Sequence, residues 1–134
     1  MTRTTDGESP RIVVGIDRSE AATQALRWAL AEARRTGATV EVVNAYEFAA
    51  YGGTSTDRIL EWLRQEAEES LQAAVREVAG TDPDVAIRQT VRRGPAGPVL
   101  VAAAAGADLL VLGSRVGGAT RSLTTPKLRG DLRL

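Results

Sequence analysis

Apolar and polar residues alternate along this chain at two periods, and the switches between them outline the elements. Arg11-Ile-Val-Val-Gly-Ile-Asp17 is a short, β-branched run without strict alternation, as expected of a parallel strand buried on both faces. Ser19 offers a helix N-cap and Glu20 places a carboxylate in the first turn. Ala22, Leu26, Ala29, Leu30 and Ala33 then recur at helical spacing until Gly37, which stands where a left-handed C′ residue is wanted. Thr39–Tyr46 reads as a second strand, and Phe48–Thr56 as a loop. Asp57–Ala79 reads as a long amphipathic helix with Leu60, Leu63, Ala67, Leu71 and Val75 on its apolar side and Gly80 closing it.

Val85, Ile87 and Val91 mark a third strand; Ala96–Ala105 is a short helix ended by Gly106; Asp108–Gly113 is a fourth buried strand. Strands alternating with helices predict an α/β fold with a parallel sheet and right-handed crossovers. Beyond Gly113 the pattern fails. No run of four apolar residues occurs in 114–134, so no fifth buried strand is expected there. The predicted organisation is a disordered N-terminal tail over 1–10, one α/β domain over 11–118 and an irregular C-terminal tail over 119–134.

Composition narrows the chemistry. The 134 residues contain no cysteine and no histidine, which removes disulfides, thiol chemistry, the usual zinc and copper sites and any His-dependent acid, base or triad. Seventeen basic residues balance seventeen acidic ones, giving no electrostatic footprint for a nucleic acid. That zero is a sum of unlike parts: residues 114–134 hold five basic residues and one acidic, so residues 1–113 carry a charge of −4. The polar N-terminus lacks a signal-peptide h-region, and Val99–Leu112 is too short to span a bilayer, so a soluble, intracellular protein is expected. What remains is oxygen-ligated Mg²⁺ and backbone recognition of phosphates.

Open parallel α/β sheets bind ligands beyond the carboxyl ends of their strands. Asp17-Arg18-Ser19 and Gly113-Ser-Arg-Val-Gly-Gly118 occupy two such ends. Asp17 has the chemistry to accept from a ribose hydroxyl or an adenine amine, or to hold Mg²⁺; capping the following helix is an equal reading. The amides of Gly113, Ser114, Arg115, Gly117 and Gly118 would form a concave anion site, against the equal reading of a plain surface loop. Arg92 and Arg93 read as a solvated pair, Trp28 and Trp62 as packing residues, and Glu66, Glu68 and Glu69 as a solvent face.

Three stretches resemble the universal stress protein family: Ile12-Val-Val-Gly-Ile-Asp-Arg-Ser19, Gly94-Pro-Ala96, and Ala107-Asp-Leu-Leu-Val-Leu-Gly-Ser-Arg115. The resemblance covers about 10–118. It implies a Rossmann-like three-layer α/β sandwich with strand order 3-2-1-4-5 in a small cytoplasmic stress-response protein, commonly a homodimer, with no membrane or nucleic-acid partner. One branch of the family binds ATP. On that pattern Gly15, Ile16, Asp17 and Ser19 would lie at the nucleoside, Ala45 at the adenine, and Leu112, Gly113, Ser114, Arg115, Gly117 and Gly118 at the phosphates, with Mg²⁺ accompanying ATP.

The family's phosphate loop runs Gly-x2-Gly-x9-Gly followed by Ser or Thr. Counting from Gly113, its second glycine falls on Val116 and its final pair on Pro126 and Lys127. The family's fourth helix and fifth strand are also unrecognisable, which predicts a missing fifth strand and an exposed fourth-strand edge. Two functional readings follow: an adenine-nucleotide binding stress protein with a weakened phosphate grip, or a nucleotide-free interaction module acting through self-association or a partner. A hydrolase is the least supported class, because no residue identifies itself as a water-activating base.

Overall fold

The computed structural model describes residues 10–17, 20–47, 57–80, 83–113 and 120–128. The elements in chain order are β1 (Arg11–Gly15), α1 (Glu20–Thr36), β2 (Thr39–Tyr46), α2 (Asp57–Ala79), β3 (Ile87–Arg93), α3 (Ala96–Ala103), β4 (Ala107–Gly113) and β5 (Thr120–Leu128). They form one sheet in the order β3-β2-β1-β4-β5. The first four strands are mutually parallel, as the βα alternation predicts.

The missing-strand expectation needs correcting. Residues 120–128 do add a strand, but it runs antiparallel to β4, with Gly113 opposite Thr120 and Ala107 opposite Leu128. The sequence search sought an apolar strand buried on both faces. An edge strand needs only backbone partners on one side and tolerates polar residues and a proline, here Pro126. Residues 1–9 of the predicted N-terminal tail over 1–10, and the Ser19 cap, lie outside the described residues.

Both faces of the sheet are covered, and the strands supply alternate side chains to each. Val14, Val40, Val42 and Val111 pack with Leu26 and Leu30 of α1 and Leu71 and Val75 of α2. Val13, Val43 and Leu110 pack on the other face with Val99 and Ala103 of α3. Five alanines of α1 (Ala21, Ala22, Ala25, Ala29 and Ala33) are buried, so this helix lies close on the sheet. Gly37 ends it with φ 78°, and its N–H donates to the Ala33 carbonyl at 2.8 Å. Helix α3 begins at Ala96 after Pro95, which places Pro98 in the first turn, where a missing N–H costs nothing. It stops at Ala103, two residues earlier than the sequence pattern suggests. Val85, expected in the third strand, precedes it and packs in the α1–α2 core.

Candidate nucleotide cleft

Parallel strands put all their carboxyl ends on one side of the sheet, so the residues that follow β1, β2 and β4 converge without being neighbours in sequence. Gly15, Ile16 and Asp17 close β1; Ala45 is the penultimate residue of β2; Leu112 and Gly113 close β4. All six line a single cleft of about 210 Å³. The Ile16 N–H donates to the Val43 carbonyl at 2.8 Å, which continues the β1–β2 ladder past Gly15 and fixes the backbone just before Asp17. Asp17 itself is exposed. Ser19, Ser114, Arg115, Gly117 and Gly118, the other sequence-nominated positions, lie outside the described residues.

Two glycines let the walls of the cleft pack closely. A Cβ on Gly15 would meet the side-chain ends of Leu100 and Leu112 at 2.8 and 2.9 Å, inside the cleft lining. A Cβ on Gly113 would stand 2.3 Å from the Ala21 carbonyl oxygen, so the end of β4 lies directly against the first turn of α1. The remaining wall comes from Ala22 of α1, Val43 of β2 and Ala96 and Leu100 of α3. None of these four was nominated as a site residue from the sequence, although Ala96 ends the Gly94-Pro-Ala96 stretch of the family resemblance. Ala96 and Leu100 carried a usable signal: an i, i+4 pair in the first turns of a helix that starts directly after a strand end.

A second cavity of about 370 Å³ adjoins the first, sharing Asp17 and Ala45, and extends between β2 and α2. Asn44, Tyr46, Trp62 and Glu66 line it. Here two sequence readings need correction. Trp62 is 58% exposed and Trp28 is also exposed, so neither is a core packing residue. Glu66 is half-buried against this cavity and does not simply face solvent. Glu68 pairs with Arg64 on the helix surface. Arg64 also accepts the company of Glu61, and that hydrogen bond, followed by the charges of Glu61 and Glu68, raises its pKa above the ordinary guanidinium value. Arg92 and Arg93 are exposed, as expected, with Arg92 paired in register beside Ala45.

The positions of the missing phosphate-loop glycine can now be placed. Pro126 and Lys127 fall within β5, near the end that pairs with Ala107, whereas the cleft lies at the Gly113 end. Six residues of β4 separate the two ends, about 20 Å at the rise of a strand. Among the described residues no cluster of three or more acidic groups with metal-ligand spacing occurs, and no helix is long and apolar enough to cross a membrane.

Comparison with known proteins gives a consistent result. The sequence model of the universal stress protein family matches residues 8–125. Universal stress proteins from two Mycobacterium tuberculosis strains, H37Rv and CDC 1551, are each 36% identical over 103 residues; the match covers 77% of this chain but only 36% of each relative. Among solved structures, a universal stress family protein from Burkholderia pseudomallei superposes with TM-score 0.63 at 24% identity, covering 79% of this chain and 82% of that one. The universal stress protein UspA from Lactobacillus plantarum gives 0.64 at 22% identity, covering 82% of both. These two likenesses concern the fold alone.

Proposed function

The chain belongs to the universal stress protein family, and from that premise we propose that it binds an adenine nucleotide in the cleft at the carboxyl ends of β1, β2 and β4. The observation that carries this reading is the convergence of Asp17, Ala45 and Gly113, the ends of three separate strands, on one cavity. The Ala45 backbone would meet the adenine edge and the Asp17 carboxylate would accept from the ribose hydroxyls. Gly113, packed against the first turn of α1, would bring the end of β4 and that turn together beside the phosphates. Mg²⁺ entering with ATP would find in Asp17 the one carboxylate that lines this cleft among the described residues, a donor set that suits an ion held mostly by phosphates and water.

The distant position of Pro126 and Lys127 refines the proposal. The grip falls on base and ribose, so AMP is expected to bind within a few-fold of ATP. Calorimetric titration with Mg-ATP, ATP and AMP tests it. Saturable heat for all three, weakened about tenfold or roughly 1.4 kcal/mol by Asp17→Ala, is the expected result. No heat from any of them in the intact protein would remove the reading.

The same observation favours a second reading. With the third phosphate anchor replaced by a strand, the protein would act as a cytoplasmic stress-response interaction module through a homodimer or another partner, without nucleotide. Sedimentation would then show a dimer whose population is unchanged by ATP. A monomer that binds ATP at micromolar concentration would exclude it.

A further inference from the structure

The cavity between β2 and α2 is lined by a buried amide whose oxygen meets no donor among the described residues. Asn44 is 8% exposed and lines this space. Its Nδ2 donates to the main-chain carbonyl of Ala67 at 3.0 Å. A carbonyl can only accept, so this bond fixes the orientation of the amide and leaves Oδ1 as the other terminus. No donor among the described residues reaches Oδ1. A buried amide oxygen without a donor is costly, and a ligand or water that donates to it recovers that cost.

The rest of the lining specifies the donor. Trp62 leaves 58% of its surface in water, the most exposed large apolar side chain among the described residues, and it stands directly at the cavity, with Tyr46 of β2 also in the lining. Aromatic faces attract cations and stack on flat groups. Among the described residues of the lining the two charged ones, Asp17 and Glu66, are carboxylates, with no lysine or arginine beside them. Both carboxylates already have partners, so the recognition falls to Asn44 and the rings.

We propose that this cavity is a binding subsite for a flat organic cation bearing N–H donors, an amidinium or aromatic ammonium group, which donates to Asn44 Oδ1 while its ring lies against Trp62. It adjoins the nucleotide cleft but does not rest on that reading: the acceptor, the rings and the acidic rim would be the same if no nucleotide bound.

Benzamidine is the probe, with neutral benzamide and anionic benzoate of the same shape as controls. A Trp28→Phe background leaves Trp62 as the single indole reporter. Benzamidine is expected to change Trp62 fluorescence saturably. Benzamide should bind about tenfold more weakly, and benzoate should give no saturable change. Asn44→Leu should weaken benzamidine about tenfold, the scale of a lost charge-assisted hydrogen bond. Because that variant also loses the bond to Ala67, Trp62→Ala provides an independent arm, with binding followed by the NMR shift of the Asn44 side-chain amide. A several-fold loss is expected there. The proposal is overturned if benzamidine fails to saturate, if benzoate binds as well, or if Trp62→Ala binds like the parent. Mg-ATP calorimetry on the same protein reports the nucleotide reading separately, so either can fail alone.

Discussion

Gly113 and Gly37 are both glycines at element ends, yet for different physical reasons. At Gly113 the obstacle is steric, because a Cβ would sit 2.3 Å from the Ala21 carbonyl oxygen and helix α1 would have to move away from β4. Gly113→Ala is therefore expected to cost about 1–3 kcal/mol, as overpacking does, and to displace the cleft wall. At Gly37 nothing lies within 4 Å of the added carbon, and the penalty is the left-handed φ of 78° alone. Gly37→Ala should cost about 1–2 kcal/mol and leave ligand binding unchanged. Urea denaturation combined with ligand titration separates the two; equal effects on binding would contradict this division. Charge at the surface gives a third residue-scale test. The hydrogen bond from Arg35 lowers the Glu32 pKa, desolvation opposes it, and the Arg35 charge adds a smaller lowering; the same pair raises the pKa of Arg35. A depressed carboxylate contributes stability that is present above its unfolded pKa and is lost as pH falls through the folded one. NMR titration should place the Glu32 midpoint below the ordinary glutamate value, and Arg35→Ala should return it there. The stability difference between Arg35→Ala and the parent should then vanish in acid.

At the scale of elements, the amino ends of the strands are tied by a polar network on the side of the sheet opposite the cleft. Arg11 on β1 donates to Glu41 Oε1 on β2 at 2.8 Å, to the carbonyl of Ala103, the last residue of α3, at 3.2 Å and to that of Ala105 at 2.7 Å. Thr90 on β3 donates to Glu41 Oε2 at 2.9 Å. The pair is unequal, since the Glu41 side chain is 10% exposed and that of Arg11 31%. Removing Arg11 leaves a buried carboxylate with Thr90 as its remaining partner, whereas removing Glu41 leaves a guanidinium that keeps two carbonyls and some solvent. Arg11→Met should accordingly cost more than Glu41→Leu, about 3 against about 1 kcal/mol by chemical denaturation. The reverse order would refute the asymmetry. The elements themselves were legible to different degrees. β2 and α2 keep their sequence-assigned bounds because their periodicities run unbroken between clear stop signals. The cleft was legible at Asp17 and Gly113, which end buried strands. Asn44, Tyr46 and Trp62 meet only through packing of α2 on β2, and no local pattern encodes that encounter. β5 was hidden for another reason: pairing along one edge is a backbone property, and its polar sequence carries no burial signal.

For the whole molecule, β5 decides what the sheet shows to other chains. β4 is apolar on both sides, with Leu110 and Val111 almost completely buried, and it would be a template for intermolecular pairing if its edge were bare. The antiparallel pairing of Leu109 through Gly113 with Thr124 back to Thr120 fills that edge from within the chain. The segment doing so is the basic one, joined to a body of net charge −4, so attraction over the whole surface favours the same docking. A chain ending at Gly118 would lose both the edge cover and the opposing charge. It is expected to self-associate by sedimentation at concentrations where the full chain does not gain mass, and to bind thioflavin on standing. An isolated peptide of residues 119–134 added in excess should suppress that association by occupying the vacated edge. If the shortened chain stays at the same mass as the full one, β5 is not what protects β4, and self-association of the intact protein must be sought at the other edge, along β3.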